Sequence, residues 1–148
     1  MAITNPLVSP GTLNRLVTSV TWPNFPQLNV TPPYLGKASV NLGFEGAATG
    51  FLQVLAGAVT SPEPYLFFNM TINLIRSQSL ADSYKTQMEA STLMGDCTVR
   101  SDSYTLSVYQ LSNCAIEGVN PQSFAGDDAN YMVTVKGIYY INANLWNT

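Results

Sequence analysis

Acid–base and metal chemistry near neutral pH most often recruits histidine, and this chain has none. What remains for proton transfer is carboxylate. Asp127 and Asp128 are adjacent, while Glu45, Glu63, Asp96, Asp102 and Glu117 are scattered among strand ends and turns. Two carboxylates flanking a sugar linkage can hydrolyse it, so a carboxylate-dependent hydrolase is the one enzyme class these residues leave open. The run Gly126-Asp127-Asp128 reads better as turn chemistry, because Asp side chains bond nearby backbone groups in tight turns. No catalytic residue is assigned, and the chain is read as a non-enzyme.

Other chemistry-bearing groups lead to the same place. Cys97 and Cys114, without histidine, fall short of the usual zinc ligand set and are too few for a disulfide scaffold. Both are expected as reduced, small core residues. Gly43 and Gly46 are not followed by the Lys-Ser/Thr of a phosphate-binding loop. No cofactor and no metal is expected. Asn29-Val30-Thr31 and Asn69-Met70-Thr71 have the form of glycosylation acceptors, but the N-terminus shows neither a basic nor an apolar export region. Both are expected to be unmodified, in a protein of cytoplasmic origin. The aromatic run Tyr65, Phe67, Phe68 and the pair Tyr139-Tyr140 offer a stacking platform, which makes a carbohydrate-binding β-sandwich an alternative. Packing within strands is the preferred reading of all five.

The surface on which such groups would sit is poor in charge. The 148 residues include 6 Lys+Arg and 9 Asp+Glu, or 10% charged, against roughly 25% in an ordinary domain. Ser, Thr and Asn supply 40 positions instead. A net charge of −3 argues against gripping nucleic acid by its phosphates, which takes clustered Lys and Arg. No apolar stretch approaches the roughly 20 residues of a membrane helix, so no membrane partner is expected. Low charge favours association.

The elements that would position these residues are mostly strands, in a single domain over 1–148. The N-terminal arm and first strand occupy 1–22, and Pro23, Pro26, Pro32 and Pro33 then punctuate an extended segment. Residues 37–45 alternate Val40, Leu42 and Phe44 against Ser39, Asn41 and Gly43, the period of a half-buried strand. Glycine and alanine bracket the apolar piece 51–55 ahead of the turn Ser61-Pro62-Glu63-Pro64, which reads as a hairpin or long loop over 46–64. Residues 65–75 are aromatic and β-branched and form a strand. One helix is predicted over 79–94, with Ser79 as N-cap, Asp82 favourably placed in its first turn, and Gly95 as its stop. Leu80, Tyr84 and Met88 mark its buried face. Strands are expected over 96–100, 104–116 and 131–146. The fold class is mainly β: a small β-barrel or two packed antiparallel sheets, one α-helix packed on the outside and a long hairpin.

Exposed Phe51 and Leu52 on a Gly/Ala-rich hairpin, proline-punctuated arms and a nearly neutral surface suit a subunit that completes its sheets with neighbours. Closed rings satisfy sheet edges without open-ended growth, and contacts through ring faces stack rings into a tube.

Several segments, taken in order, carry a family resemblance: 13–16 (LNRL), 25–31 (FPQLNVT), 34–37 (YLGK), 57–65 (GAVTSPEPY), 79–89 (SLADSYKTQME), 111–116 (LSNCAI) and 137–146 (GIYYINANLW). Together they resemble tail tube proteins of contractile-tailed bacteriophages over nearly the whole chain. The resemblance implies a structural virion protein that forms hexameric rings, with strands of six subunits closing an inner β-barrel around a lumen wide enough for duplex DNA. Stacked rings would form the conduit for DNA ejection. The hairpin and its flanks, 44–65, and the segment before residue 22 would reach adjacent subunits, making Phe44, Phe51, Leu52 and Tyr65 contact candidates. The helix would face the sheath. The implied partners are further copies of the chain, the tail sheath, the baseplate or tail initiator, the tail terminator, the tape measure protein and, transiently, genomic DNA. The implied location is the phage tail, assembled in the host cytoplasm. A lumen wall that lets DNA pass should be acidic or neutral, and Glu45, Glu63, Asp96, Glu117, Asp127 and Asp128 form the pool from which it would draw. A tube protein of a contractile injection or type VI secretion system is the near alternative.

Overall fold

The computed structural model describes residues 18–101, 106–122 and 124–145. In these the chain forms β1 (Thr18–Thr21), two 3-10 turns (Pro26–Leu28 and Pro32–Tyr34), β2 (Leu35–Glu45), β3 (Thr49–Val54), β4 (Gly57–Pro62) and β5 (Tyr65–Ile75). Then follow α1 (Ser79–Ala90), β6 (Leu93–Ser101), β7 (Val108–Val119) and β8 (Asn130–Tyr140). Six strands make one antiparallel sheet in the order β1-β6-β7-β8-β5-β2, curled into a half-barrel, and β3 and β4 pair only with each other. This is the mainly β architecture with one helix that the sequence pattern predicts.

Alternation in the central strands builds the core. Phe68, Met70, Ile72 and Leu74 of β5 and Tyr131, Val133 and Val135 of β8 are buried on one face, with Ile72 opposite Val133 and Met70 opposite Val135. Leu111, Cys114 and Ile116 of β7 and Met94, Cys97 and Val99 of β6 extend that face. The sheet bends where its register slips, between Leu93 and Cys97 against β7, between Ser112 and Ala115 against β8, and between Leu35 and Val40 against β5. Bulges of this kind increase local twist. Ser39, Gly95 and Asn113 carry positive φ at these slips.

The core side is closed by Trp22, Leu28 and Val30, from the proline-punctuated segment, and by Leu80, Ala81 and Tyr84 of α1. Trp22 Nε1 donates to Tyr84 Oη at 2.9 Å, and Tyr84 Oη donates to the Leu28 carbonyl at 2.7 Å. Burial holds the Tyr84 phenol well above its ordinary pKa, so it stays a neutral donor. The two cysteines are free and buried, as expected. A hydrogen bond between their thiols, then burial, pushes the Cys97 thiol far up.

Several boundaries differ from the sequence pattern. The helix ends at Ala90 and not at 94, because Ser91 is already extended and Ile116 N donates to the Thr92 carbonyl at 2.9 Å, drawing the chain into the sheet. Gly95 is therefore no helix stop; its φ of +79° serves the bulge inside β6. Gln78 takes the cap position with no side-chain capping bond, and Ser79 is the first helical residue. Strand β7 begins at Val108 and runs on to Val119, and β8 stops at Tyr140, where Ile141 N turns to the Pro64 carbonyl. The arm up to residue 17, Asp102, the start at 104 of the expected strand and Trp146 lie outside the described residues.

Candidate functional site

The hairpin β3–β4 stands apart from the core. Phe51 lies opposite Thr60, Leu52 opposite Val59 and Val54 opposite Gly57, so adjacent apolar side chains point to opposite faces. Every residue from 51 to 60 is exposed, including Phe51 at 70%, Leu52 at 59% and Leu55 at the tip at 108%. An isolated two-stranded hairpin is only marginally stable in water, and this one presents hydrocarbon on both sides.

Its root is held firmly. Glu63 N donates to the Ala48 carbonyl at 3.0 Å, Ile141 N to the Pro64 carbonyl at 3.1 Å, and Asn142 Nδ2 to the Glu63 carbonyl at 2.7 Å. Beside the root, on the face of the sheet away from the core, Tyr65 and Phe67 meet edge to face with ring centroids 5.6 Å apart. Tyr65 is paired across the sheet with Tyr140. These three aromatics are 42%, 56% and 54% exposed. Tyr65 and Phe67, with Leu66, Glu45 and Glu63, border a cleft of about 300 Å³ that Gly46, Ala47 and Gly50 also line. Core packing, the reading preferred for all five aromatics, holds for Phe68 and partly for Tyr139. It fails for Tyr65, Phe67 and Tyr140, because the alternation of β5 and β8 turns them outward.

Phe44, the other contact candidate, is at the opposite surface of the same sheet end. Its ring lies 5.1 Å from that of Tyr139 and 6.0 Å from that of Tyr109, closing the end of the core.

Of the acidic candidates, Glu45 and Glu117 are brought together by a cation. Lys136 Nζ lies 3.4 Å from Glu117 and 3.7 Å from Glu45. The hydrogen bond to Glu117, its charge and that of Glu45 hold the Lys136 ammonium above its ordinary pKa. The cluster sits on the outward face, where strand register places Asn69 of β5 opposite Lys136. Asp96 is exposed on β6, and Glu63, at the hairpin root, shares the cleft with Glu45; neither takes part in the Lys136 ion pairs. Asp127 and Asp128 belong to the loop before β8. There Asp128 Oδ1 accepts from Asn130 N at 3.0 Å and its carbonyl accepts from Arg76 Nη1 at 2.9 Å, which is the turn role read from the sequence. Among the described residues no three His, Cys, Asp or Glu side chains are grouped to hold a metal ion. No helix among them is long and apolar enough to cross a membrane.

Sequence reasoning assigned Phe67 and Tyr140 to strand packing and did not single out Lys136. For Phe67 the signal was present: it is one residue out of phase with Phe68, so a strand with one covered face buries only one of the two. Lys136 offered none, because its partners come from β2 and β7.

The arrangement is thus a curled β sheet that carries a core-less apolar hairpin with an aromatic ledge at its foot. In sequence, the chain matches no family model and no curated protein. Among solved structures it is similar to the tube terminating cap of the anti-feeding prophage, seen by cryo-electron microscopy, with 14% identity and a TM-score of 0.48. That likeness covers 95% of this chain and 100% of the other.

Proposed function

We propose that this chain is a structural tail tube subunit of a contractile-tailed phage, which assembles through its hairpin into stacked hexameric rings that conduct DNA. The observation that carries the reading is the hairpin: ten consecutive exposed residues, 51 to 60, with hydrocarbon on both faces, are an interface awaiting its other half. The ordered resemblance of segments to tail tube proteins supplies the kind of assembly. Phe51, Leu52 and Tyr65 are the contact residues of this proposal, and Phe44 braces the sheet end from which the hairpin springs.

The outward face around Lys136 suits a lumen wall. A cation there would hold DNA by displacing its counterions, and Glu45 and Glu117 on either side of Lys136 oppose that hold. The exposed face of α1, bearing Asp82, Lys85 and Glu89, is left for the sheath. Electron microscopy of the purified chain, alone and with a tail initiator, tests the reading. Rings or tubes with a central channel are expected; a persistent monomer under both conditions would refute it.

A further inference from the structure

The low charge of this chain makes each unpaired charge conspicuous. Among the described residues Lys85 is paired with Glu89, Lys136 lies between Glu45 and Glu117, and Arg76 bonds the Asp128 carbonyl. Arg100 and Lys37 are exposed and take part in no ion pair among those residues. On the acidic side, Glu63 is likewise exposed and unpaired.

Glu63 and Arg100 each stand in an apolar setting. Glu63 borders the cleft whose wall is the exposed ledge of Tyr65 and Phe67. Its backbone is fixed through both N–H and carbonyl, so the carboxylate is presented from a rigid root. Arg100 lies opposite Val108 on β7 and beside Leu106, two residues that are 42% and 50% exposed. Lys37, exposed between Gly36 and Ala38, lines neither this cleft nor the pocket beside Arg100. A guanidinium is the side chain best matched to this cleft, because it pairs with a carboxylate and stacks on aromatic rings at the same time.

The two patches lie at the same end of the sheet, since Tyr65 opens β5 opposite the end of β8 while Arg100 is near the end of β6. They are separated by the intervening strands β7 and β8. One chain cannot bring them together within its own rigid sheet, whereas a second copy displaced sideways can. We propose that Arg100 of one copy inserts into the Glu63–Tyr65–Phe67 cleft of the next, a head-to-tail contact of the kind that closes rings. This rests on the assembly reading above and names its lateral contact; it also moves Glu63 from the lumen wall to a subunit boundary.

Charge reversal at the full-length chain tests it. Glu63→Lys and Arg100→Glu should each fold as the parent does, by circular dichroism, and each should lower association more than about a hundredfold in sedimentation, as juxtaposed like charges do. Mixed in equal amounts the two variants should assemble, because every contact then joins unlike charges, and the double variant should assemble alone. Lys37→Glu should assemble as the parent does. Single variants that assemble normally, a mixture no better than its components, or a block by Lys37→Glu in place of Arg100→Glu would each overturn the contact. A parent that never assembles would instead overturn the tube reading itself, so the two failures are distinct.

Discussion

Removing residues 46–58 should separate folding from assembly. None of the core residues lies between Glu45 and Glu63, so the deletion removes almost no buried surface. It shortens the connection from β2 to β5 roughly threefold, and the reduced loop-closure entropy is worth about 1 kcal/mol in favour of folding. The root contacts of Pro64 with Ile141 and of Glu63 with Asn142 remain. Folding stability, read as the urea midpoint, should therefore hold or rise slightly. Assembly behaves oppositely: Phe51, Leu52, Val54 and Leu55 go with the hairpin, and each exposed apolar side chain that a neighbour covers contributes about 1–2 kcal/mol. Losing four such contributions weakens association by about a thousandfold or more. Sedimentation velocity and negative-stain images should show a folded monomer without rings. Loss of the native circular dichroism spectrum would show that the hairpin supports the fold; tubes formed by the deleted chain would show that it is not the interface.

The core hydrogen bonds make a second prediction. Tyr84→Phe leaves Trp22 Nε1 and the Leu28 carbonyl without their partner, costing about 2–5 kcal/mol in urea unfolding; a change below about 1 kcal/mol would refute the role given to this network. Because the Tyr84 pKa is raised in the folded protein, the unfolded chain loses its proton first. Stability is then full below about pH 10 and falls above it, by about 1.4 kcal/mol per pH unit, and Tyr84→Phe should flatten that alkaline slope. Gly137→Ala puts a Cβ at 2.7 Å from both Phe68 Cε1 and the Ser112 carbonyl, and should cost about 1–3 kcal/mol by overpacking; unaltered stability would mean that the Phe68 ring and the β7 backbone both yield to the added methyl.

What the sequence determined by itself was local and periodic. The alternation of 65–75 marked a strand, and glycines with the Pro62 and Pro64 turn marked a projecting hairpin. Phe51 and Leu52 within a Gly/Ala-rich stretch, in a chain with scarce charge, marked an exposed apolar surface. These follow from backbone geometry, since a period of two sorts side chains onto two faces whatever the rest of the chain does. Which face is covered was decided only in the tertiary structure, because the cover comes from far along the chain: Trp22, Leu28 and Tyr84 close the core side. That choice buried Phe68 and left Tyr65, Phe67 and Tyr140 outside. The helix stop was misread for a related reason. Gly95 carries the positive φ that a helix end often takes, but pairing with β7 had already claimed Thr92 and Leu93 for the sheet. The grouping of Lys136 with Glu45 and Glu117, and the isolation of Glu63 and Arg100, likewise arise from strand order, which brings distant charges together or holds them apart regardless of their spacing in the chain.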